Sequence, residues 1–355
     1  MKIFLYLLSL SYPVSTVVGA QFEASWGAGA YFVTPLVLFL LFPLLDSLVG
    51  KRWSSQGPAV ESPGLSAWPL WLTYVLAAAH FGIIAWGLWH VTQVPLSVMA
   101  YLGLSLSVGL TTGAMGITTA HELLHKKSPF QRGVGLAMML GVSYMFFYTE
   151  HLKGHHKHVG TPADPTSAPL GENFYRFLLR STIGIARFIV QTERKTLAQR
   201  GARFWRWDNP TVWYGLLPLW LMATLVLTLG WKVLPFFILQ SLVAYTLLEV
   251  VSYIEHYGLA RRVQSDGRYE KVRDDHTWDA DFAWSNWATI NLQHHAHHHA
   301  QPSLAFPYLQ PRQNSPQLPF GYPTMALVAF VPPLWHRIMD PRCQAWQLNA
   351  AESVA

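Results

Sequence analysis

Six apolar runs, each close to twenty residues long, constrain this chain more than anything else in it. They fall at about 3–20, 28–49, 70–90, 95–118, 211–230 and 233–255. A hydrocarbon core ~30 Å thick takes ~20 mostly apolar residues as a helix. Inside lipid, every backbone polar group must be satisfied within the structure, which helices achieve alone. The runs predict an all-α integral membrane protein, a single membrane domain over 1–355 with six transmembrane helices. The charged fraction of 12% agrees, at about half the ~25% of soluble domains. Two other apolar stretches read differently. The run 130–148 follows Lys126 and Lys127 and reads as an interfacial or internally packed helix. The run 326–339 carries Pro332 and Pro333 and reads as interfacial or buried. Lys2, Gly19 and Ala20 give the first run some signal-peptide character, but Tyr12 and Pro13 interrupt it and favour a retained span.

Charge fixes the orientation. With the N-terminus inside, the segments 50–69, 119–209 and 256–355 share one face. Of the 25 Lys and Arg, only Lys232 then lies on the opposite side. Such sorting is the positive-inside pattern, so the polar segments and both termini are expected on the cytoplasmic side. The pI near 9.3 is then an orientation signal, and no nucleic-acid partner is expected. Pro58, Pro63 and Gly64 mark a cytoplasmic turn at 54–69, and the five prolines of 303–323 mark an extended surface segment. Gly109 and Gly113, four residues apart in the fourth run, predict close helix packing.

The 16 histidines are the second constraint. Nine of them fall in four motifs on the cytoplasmic side. HELLHKK sets His121 and His125 four residues apart, on one helix face. EHLKGHHKH sets His151 and His155 at the same spacing, with His156 adjacent. SYIEHYGL ends the sixth run on His256, and LQHHAHHHA carries His295, His298 and His299. Neutral imidazole is a strong ligand for iron, zinc and copper. Isolated histidines at helix ends, such as His80, His90 and His336, read instead as polar caps. HELLH alone matches a zinc-protease signature with Glu122 as general base. That reading needs three ligands on one zinc and leaves the other clusters idle. Nine imidazoles on one face point to a multi-metal site in the segments 119–209 and 256–343. Iron suits a His-rich site with open positions, while spacing alone leaves copper and zinc open. Glu122 directly follows His121, Glu150 and Glu255 directly precede His151 and His256, and all three are placed to orient imidazole N–H groups. The single Cys343 excludes an internal disulfide and Cys-rich metal sites.

These motifs resemble the membrane-bound alkane hydroxylases, within the membrane non-haem diiron desaturases and hydroxylases. HELLHKK, EHLKGHH, SYIEHYGL and LQHHAHHHA match that family's three His boxes and its HYG motif, in order. FPLLDSLVG, TPADPTS, SDGRYE and PPLWHRIMDPR match flanking text, so the resemblance covers about 30–343. It implies six spans and a cytoplasmic helical cap holding two iron ions on His121, His125, His151, His155, His156, His256, His295, His298 and His299. No catalytic side chain beyond the metal centre is expected. It also implies an alkane 1-monooxygenase that uses O2 to hydroxylate the terminal carbon of medium- to long-chain n-alkanes in a bacterial cytoplasmic membrane. One departure stands in the third box, where His294 and His297 replace the usual Arg and Asp. That departure keeps open a related diiron enzyme that desaturates, decarboxylates or epoxidises a fatty chain.

An alkane offers no charge or lone pair, so its binding rests on apolar burial at ~25 cal/mol per Å² in a channel between spans. By the resemblance, Leu38, eight residues before Asp46, is the depth gate of that channel. The reaction needs two electrons, and the chain shows neither a dinucleotide fingerprint nor cysteines for a redox centre. The expected donor is a separate rubredoxin, or a ferredoxin, with its NAD(P)H-dependent reductase. Lys153, Lys157, Arg261 and Arg262 are candidate contacts for an acidic partner.

Overall fold

The computed structural model describes residues 2–51 and 68–352. The turn expected at 54–69 therefore lies outside the described residues, apart from its last two. Among the described residues the fold is helical, and pairing is limited to single bridges such as Asp279 with Gln317. Among the described residues five helices are long and apolar enough to cross a membrane: α2 (Glu23–Val49), α3 (Trp68–Gln93), α4 (Val98–Leu124), α8 (Pro210–Leu229) and α9 (Val233–His256). The run 3–20 differs from expectation. It forms a tight 3-10 helix at Lys2–Leu10 and then α1 (Ser11–Gln21), not one long apolar α-helix. Its polar atoms explain why. The Ser9 hydroxyl bonds the Ala288 carbonyl and Tyr6 accepts from Asn291, so this segment leans into the polar cap.

The spans lie close because α4 presents glycines to the larger side chains of α9. A Cβ on Gly109 would stand 2.5 Å from the Val243 Cβ and 2.7 Å from the Gln240 carbonyl. At Gly113 the nearest atom is the Leu247 Cδ2, at 3.0 Å. The glycine spacing thus does what it implied, letting α4 and α9 run parallel in contact. Both helices point their C-terminal ends at the same place, α4 ending just before His125 and α9 ending on His256. By contrast α8 buries only Thr211 and Pro218 and exposes Leu219, Trp220 and Leu227, as a lipid-facing helix does.

The cap is built from α5 (Pro129–Gly141), a helical stretch α6 at 147–158, α7 (Phe174–Gln199), α10 (Ala283–Ala288), α11 (His295–Ala300), α12 (Tyr322–Ala329) and α13 (Pro332–Glu352). Asn173 caps α7, its Oδ1 accepting the Arg176 N–H at 3.0 Å. Along α7, Phe177, Ser181, Ile185, Ile189, Glu193 and Leu197 form the buried stripe of an amphipathic helix. Pro332 and Pro333 begin α13, where their missing N–H groups cost nothing. The proline-rich stretch 303–323 is not a surface segment. Phe306, Leu309, Ser315 and Leu318 are buried, so it straps the third His box.

Three π-turns matter most for position. They lie at Val37–Leu41, Thr112–Ile117 and His151–His155. Each widens its helix by one residue and turns side chains toward a shared interior cavity. Leu38, Gly113, Ala114, His151 and His155 all line it.

Candidate metal centre

The nine motif histidines come together in two adjoining groups. His121, His125, His151, His156 and His298 form one, and His155, His256, His295 and His299 form the other. Within each group, one ligand atom from every residue lies within 4.8 Å of all the others. The partition is not the one the spacing implied. His151 and His155, four apart, go to different groups, while His151 meets His156 at 3.0 Å between Nε2 atoms. A π-turn stacks residue i over i+5 and produces this pairing. In α11, His295 and His299 share one group while His298 turns to the other.

Hydrogen bonding cannot hold such a cluster together. His151 Nε2 lies 2.8 Å from His121 Nε2, 3.0 Å from His125 Nε2 and 3.0 Å from His156 Nε2. One ring nitrogen has a single proton or a single lone pair, never enough for three partners. A shared cation resolves the conflict. With metal–nitrogen bonds of ~2.1 Å, ligands at right angles stand ~3 Å apart. The electrostatics agree. Burial, then the neighbouring rings, hold His125, His151, His156, His295, His298 and His299 below the usual imidazole range, hence neutral.

Tautomers are fixed from behind. His256 Nδ1 donates to the His276 carbonyl at 3.1 Å, leaving its Nε2 buried, deprotonated and without a hydrogen-bond partner. His155 Nδ1 donates to Asp164 Oδ2 at 3.0 Å, freeing its Nε2 for the second group. Asp164 also accepts from Thr166 and Ser167, and the His155 ring and these hydroxyls hold its carboxyl below the usual range despite full burial. Asp279 serves the third box in another way. Its Oδ1 accepts the Ala296 N–H at 2.8 Å, and burial pushes its carboxyl up to about 7. Sequence reasoning passed over both aspartates. The signal for Asp164 was present, as an Asp followed by Pro and Thr just beyond the second box.

The three glutamates diverge. Glu255 Oε2 lies 3.2 Å from His295 Nε2, and its Oε1 accepts from the Tyr322 hydroxyl at 3.0 Å. Glu150 forms a buried trio with His155 and Asp164, its Oε1 has no hydrogen-bond partner, and burial raises its carboxyl well above the usual range. Glu122 does not orient an imidazole. Its Oε1 pairs with Lys126 at 2.7 Å, one helical turn on, and takes the Phe306 N–H. The same contacts occupy the carboxylate that a zinc-protease mechanism would need as its base. The departures in the third box also turn away. His294 sits between Asp281 at 3.0 Å and the Leu309 carbonyl, and His297 Nδ1 accepts the Gln310 N–H. His158 packs against Phe188.

Above the histidines lies the apolar cavity. His121, His151, His155 and His295 form its floor, and Leu38, Phe39, Leu247 and Leu292 its walls. Among the expected donor-docking residues, Lys153 is exposed, while Arg261 donates to the Lys157 and Glu270 carbonyls.

Residues 96–329 match the family model of fatty acid desaturases. Fold, site and match together define a membrane-bound oxidoreductase of the non-haem diiron desaturase and hydroxylase class. Three relatives narrow that class. Alkane 1-monooxygenase 2 of Pseudomonas aeruginosa is 36% identical over 93% of this chain and 90% of its own length. Alkane 1-monooxygenase 1 of the same organism is 34% identical over 98% and 93%. Alkane 1-monooxygenase 1 of Alcanivorax borkumensis is 33% identical over 96% and 85%. The chain belongs to the membrane-bound alkane hydroxylase family.

Proposed function

We propose that this protein hydroxylates the terminal carbon of medium- to long-chain n-alkanes, using O2 and two iron ions held by the two histidine groups. The observation that carries this reading is the apolar cavity ending on His121, His151, His155 and His295. A methyl group can be steered only by shape and burial, and this cavity offers both directly above the ligand atoms. The donor set fits iron: nine imidazoles in two groups, with a carboxyl at Glu255 beside His295.

When bound, iron supplies the activation of O2 and the oxidation of an unactivated C–H bond, which no side chain provides. The chain does the rest. Asp164 and the His276 carbonyl hold the Nδ1 protons of His155 and His256, so that both Nε2 atoms face inward. Glu150 lies beside the second group, where burial raises its carboxyl well above the usual range. Leu38 and the residues around it bury the alkyl chain, exclude water and stop it at a fixed depth. The overall reaction takes alkane, O2, two electrons and two protons to 1-alkanol and water.

The electrons come from a rubredoxin-type protein and its NAD(P)H-dependent reductase, docking on the cytoplasmic face near Lys153 and Lys157. Positive-inside sorting supports a bacterial cytoplasmic membrane with the site and both termini inside. Desaturation, decarboxylation or epoxidation of a fatty chain is the weaker reading. It rested on the altered third box, and His294 and His297 lie outside both ligand groups. The test is incubation of membranes with reductase, rubredoxin and n-alkanes from octane to hexadecane. Formation of 1-alkanol is expected. No alcohol at any length, with iron present, would reject the proposal.

A further inference from the structure

A second apolar hollow lies beside the cavity, and hydroxylation alone gives it no task. It is a groove between α8 and the α7–α9 pair, lined by Phe146, Ile189, Gly215, Leu216 and Leu242. Helix α8 is loosely held, with two of its twenty residues buried, so the groove faces the lipid side. The wall between groove and cavity is one layer of rings. The Tyr144 and Tyr245 rings meet edge to face at 4.9 Å, and Tyr144 lies 6.2 Å from Phe147. Phe147 in turn stacks on His151 at 4.7 Å, so the wall stands directly over the ligands.

That wall carries polar atoms that an alkane cannot use. Glu249, 1% exposed and seven residues inside the end of α9, lines the cavity. Its carboxyl bonds the Ser181 hydroxyl at 2.5 Å and also reaches Tyr245. The Tyr245 and Thr182 hydroxyls lie 2.7 Å apart at the groove. The Tyr144 hydroxyl is buried with no hydrogen-bond partner. A carboxyl kept inside a span is costly and marks a functional position by default. The substrate has no group for it to bind, whereas the product has one hydroxyl.

We propose that this groove is the exit portal for the primary alcohol, with the Tyr144–Tyr245 pair as its gate. Glu249 and the Tyr144 hydroxyl receive the departing hydroxyl, and Thr182, Ser143 and Ser241 on the groove side take it over. The alcohol leaves hydroxyl-first toward the membrane, while its tail withdraws from the Leu38 end of the cavity. This inference rests on the alkane-hydroxylation reading.

Two variants of the full chain test it, reconstituted with reductase and rubredoxin on dodecane. Gly215→Leu puts bulk into the groove, since a Cβ there already stands 3.5 Å from Phe146 Cζ. Tyr144→Phe removes the unpartnered hydroxyl. Product release should become limiting, so steady-state kcat falls on the order of fivefold or more. The 1-dodecanol formed in the first turnover and kcat/KM for dodecane should hold, so that KM falls in step with kcat, with alcohol retained on the protein. An unchanged kcat in both variants overturns the portal. So does a first turnover slowed in step with kcat and a raised KM, which would make the groove an entrance. Wild-type protein that forms no alcohol refutes the hydroxylation reading itself; variants that miss the expected pattern beside an active wild type refute only the portal.

Discussion

Asp164→Asn separates a positioned ligand from a merely buried one. Asp164 Oδ2 accepts from His155 Nδ1 at 3.0 Å and from Ser167 at 2.7 Å, while Oδ1 accepts from the Thr166 hydroxyl at 2.8 Å and its N–H at 3.1 Å. An asparagine of equal size has one acceptor oxygen and one NH2 donor. If the NH2 faces His155, the ring must take the other tautomer, and its proton moves to Nε2. The second group then loses one of its four imidazoles. If the NH2 faces Thr166 instead, two donors confront each other in a buried site, at a cost of about 1–3 kcal/mol. The first arrangement should dominate if Nε2 is otherwise idle, and the second if it is committed to iron. Either way the expected loss is about 10–100-fold in iron affinity or turnover. The assay is competitive chelation of reconstituted protein with parallel measurement of 1-alkanol formation and thermal unfolding. An Asn variant that holds iron and turns over like wild type, at unchanged stability, would refute the tautomer argument.

Leu38→Trp should shift the chain-length profile toward shorter alkanes, each displaced methylene costing ~0.8 kcal/mol, or about fourfold in kcat/KM; a profile identical to wild type would remove Leu38 as a gate. His297→Ala should keep its full iron complement, because His297 lies outside both groups, and should lose only about 1 kcal/mol of stability with the Gln310 bond. Metal analysis beside a melting curve checks both halves of that expectation. Gly109→Leu should destabilise the protein by about 1–3 kcal/mol or more in detergent melts, since its Cβ alone would stand 2.5 Å from Val243.

The long helices were legible because a twenty-residue apolar run has few alternatives in lipid. The first run was less so. Its hydrophobicity resembles that of the others, and only the tertiary contacts of Tyr6 and Ser9 reveal a segment joined to the cap. That the nine motif histidines gather could be read from their spacing, but the grouping could not. Reading i and i+4 as neighbours assumes an α-helix, and the π-turn at His151–His155 makes i+5 the neighbour. Glu122 misled because adjacency in sequence says nothing about direction, and Lys126 one turn away claimed its carboxylate. Asp164 and Glu249 act across loops and between helices, so their partners could not be read locally, although the Asp-Pro-Thr of 164–166 and a carboxylate inside the apolar run 233–255 singled them out. The strap at 303–323 was misjudged for a related reason. Prolines mark an irregular backbone, and burial depends on partners such as the His294 ring, which bonds its Leu309 carbonyl.

Metal content tests the central claim most directly. Full-length protein is loaded anaerobically with ferrous iron in the presence of competing zinc, freed of excess metal and analysed. Two histidine groups, one ion to each, predict two irons per chain and turnover that follows iron content. A single metal per chain, or zinc filling the site of a protein that still hydroxylates alkanes, would contradict the account.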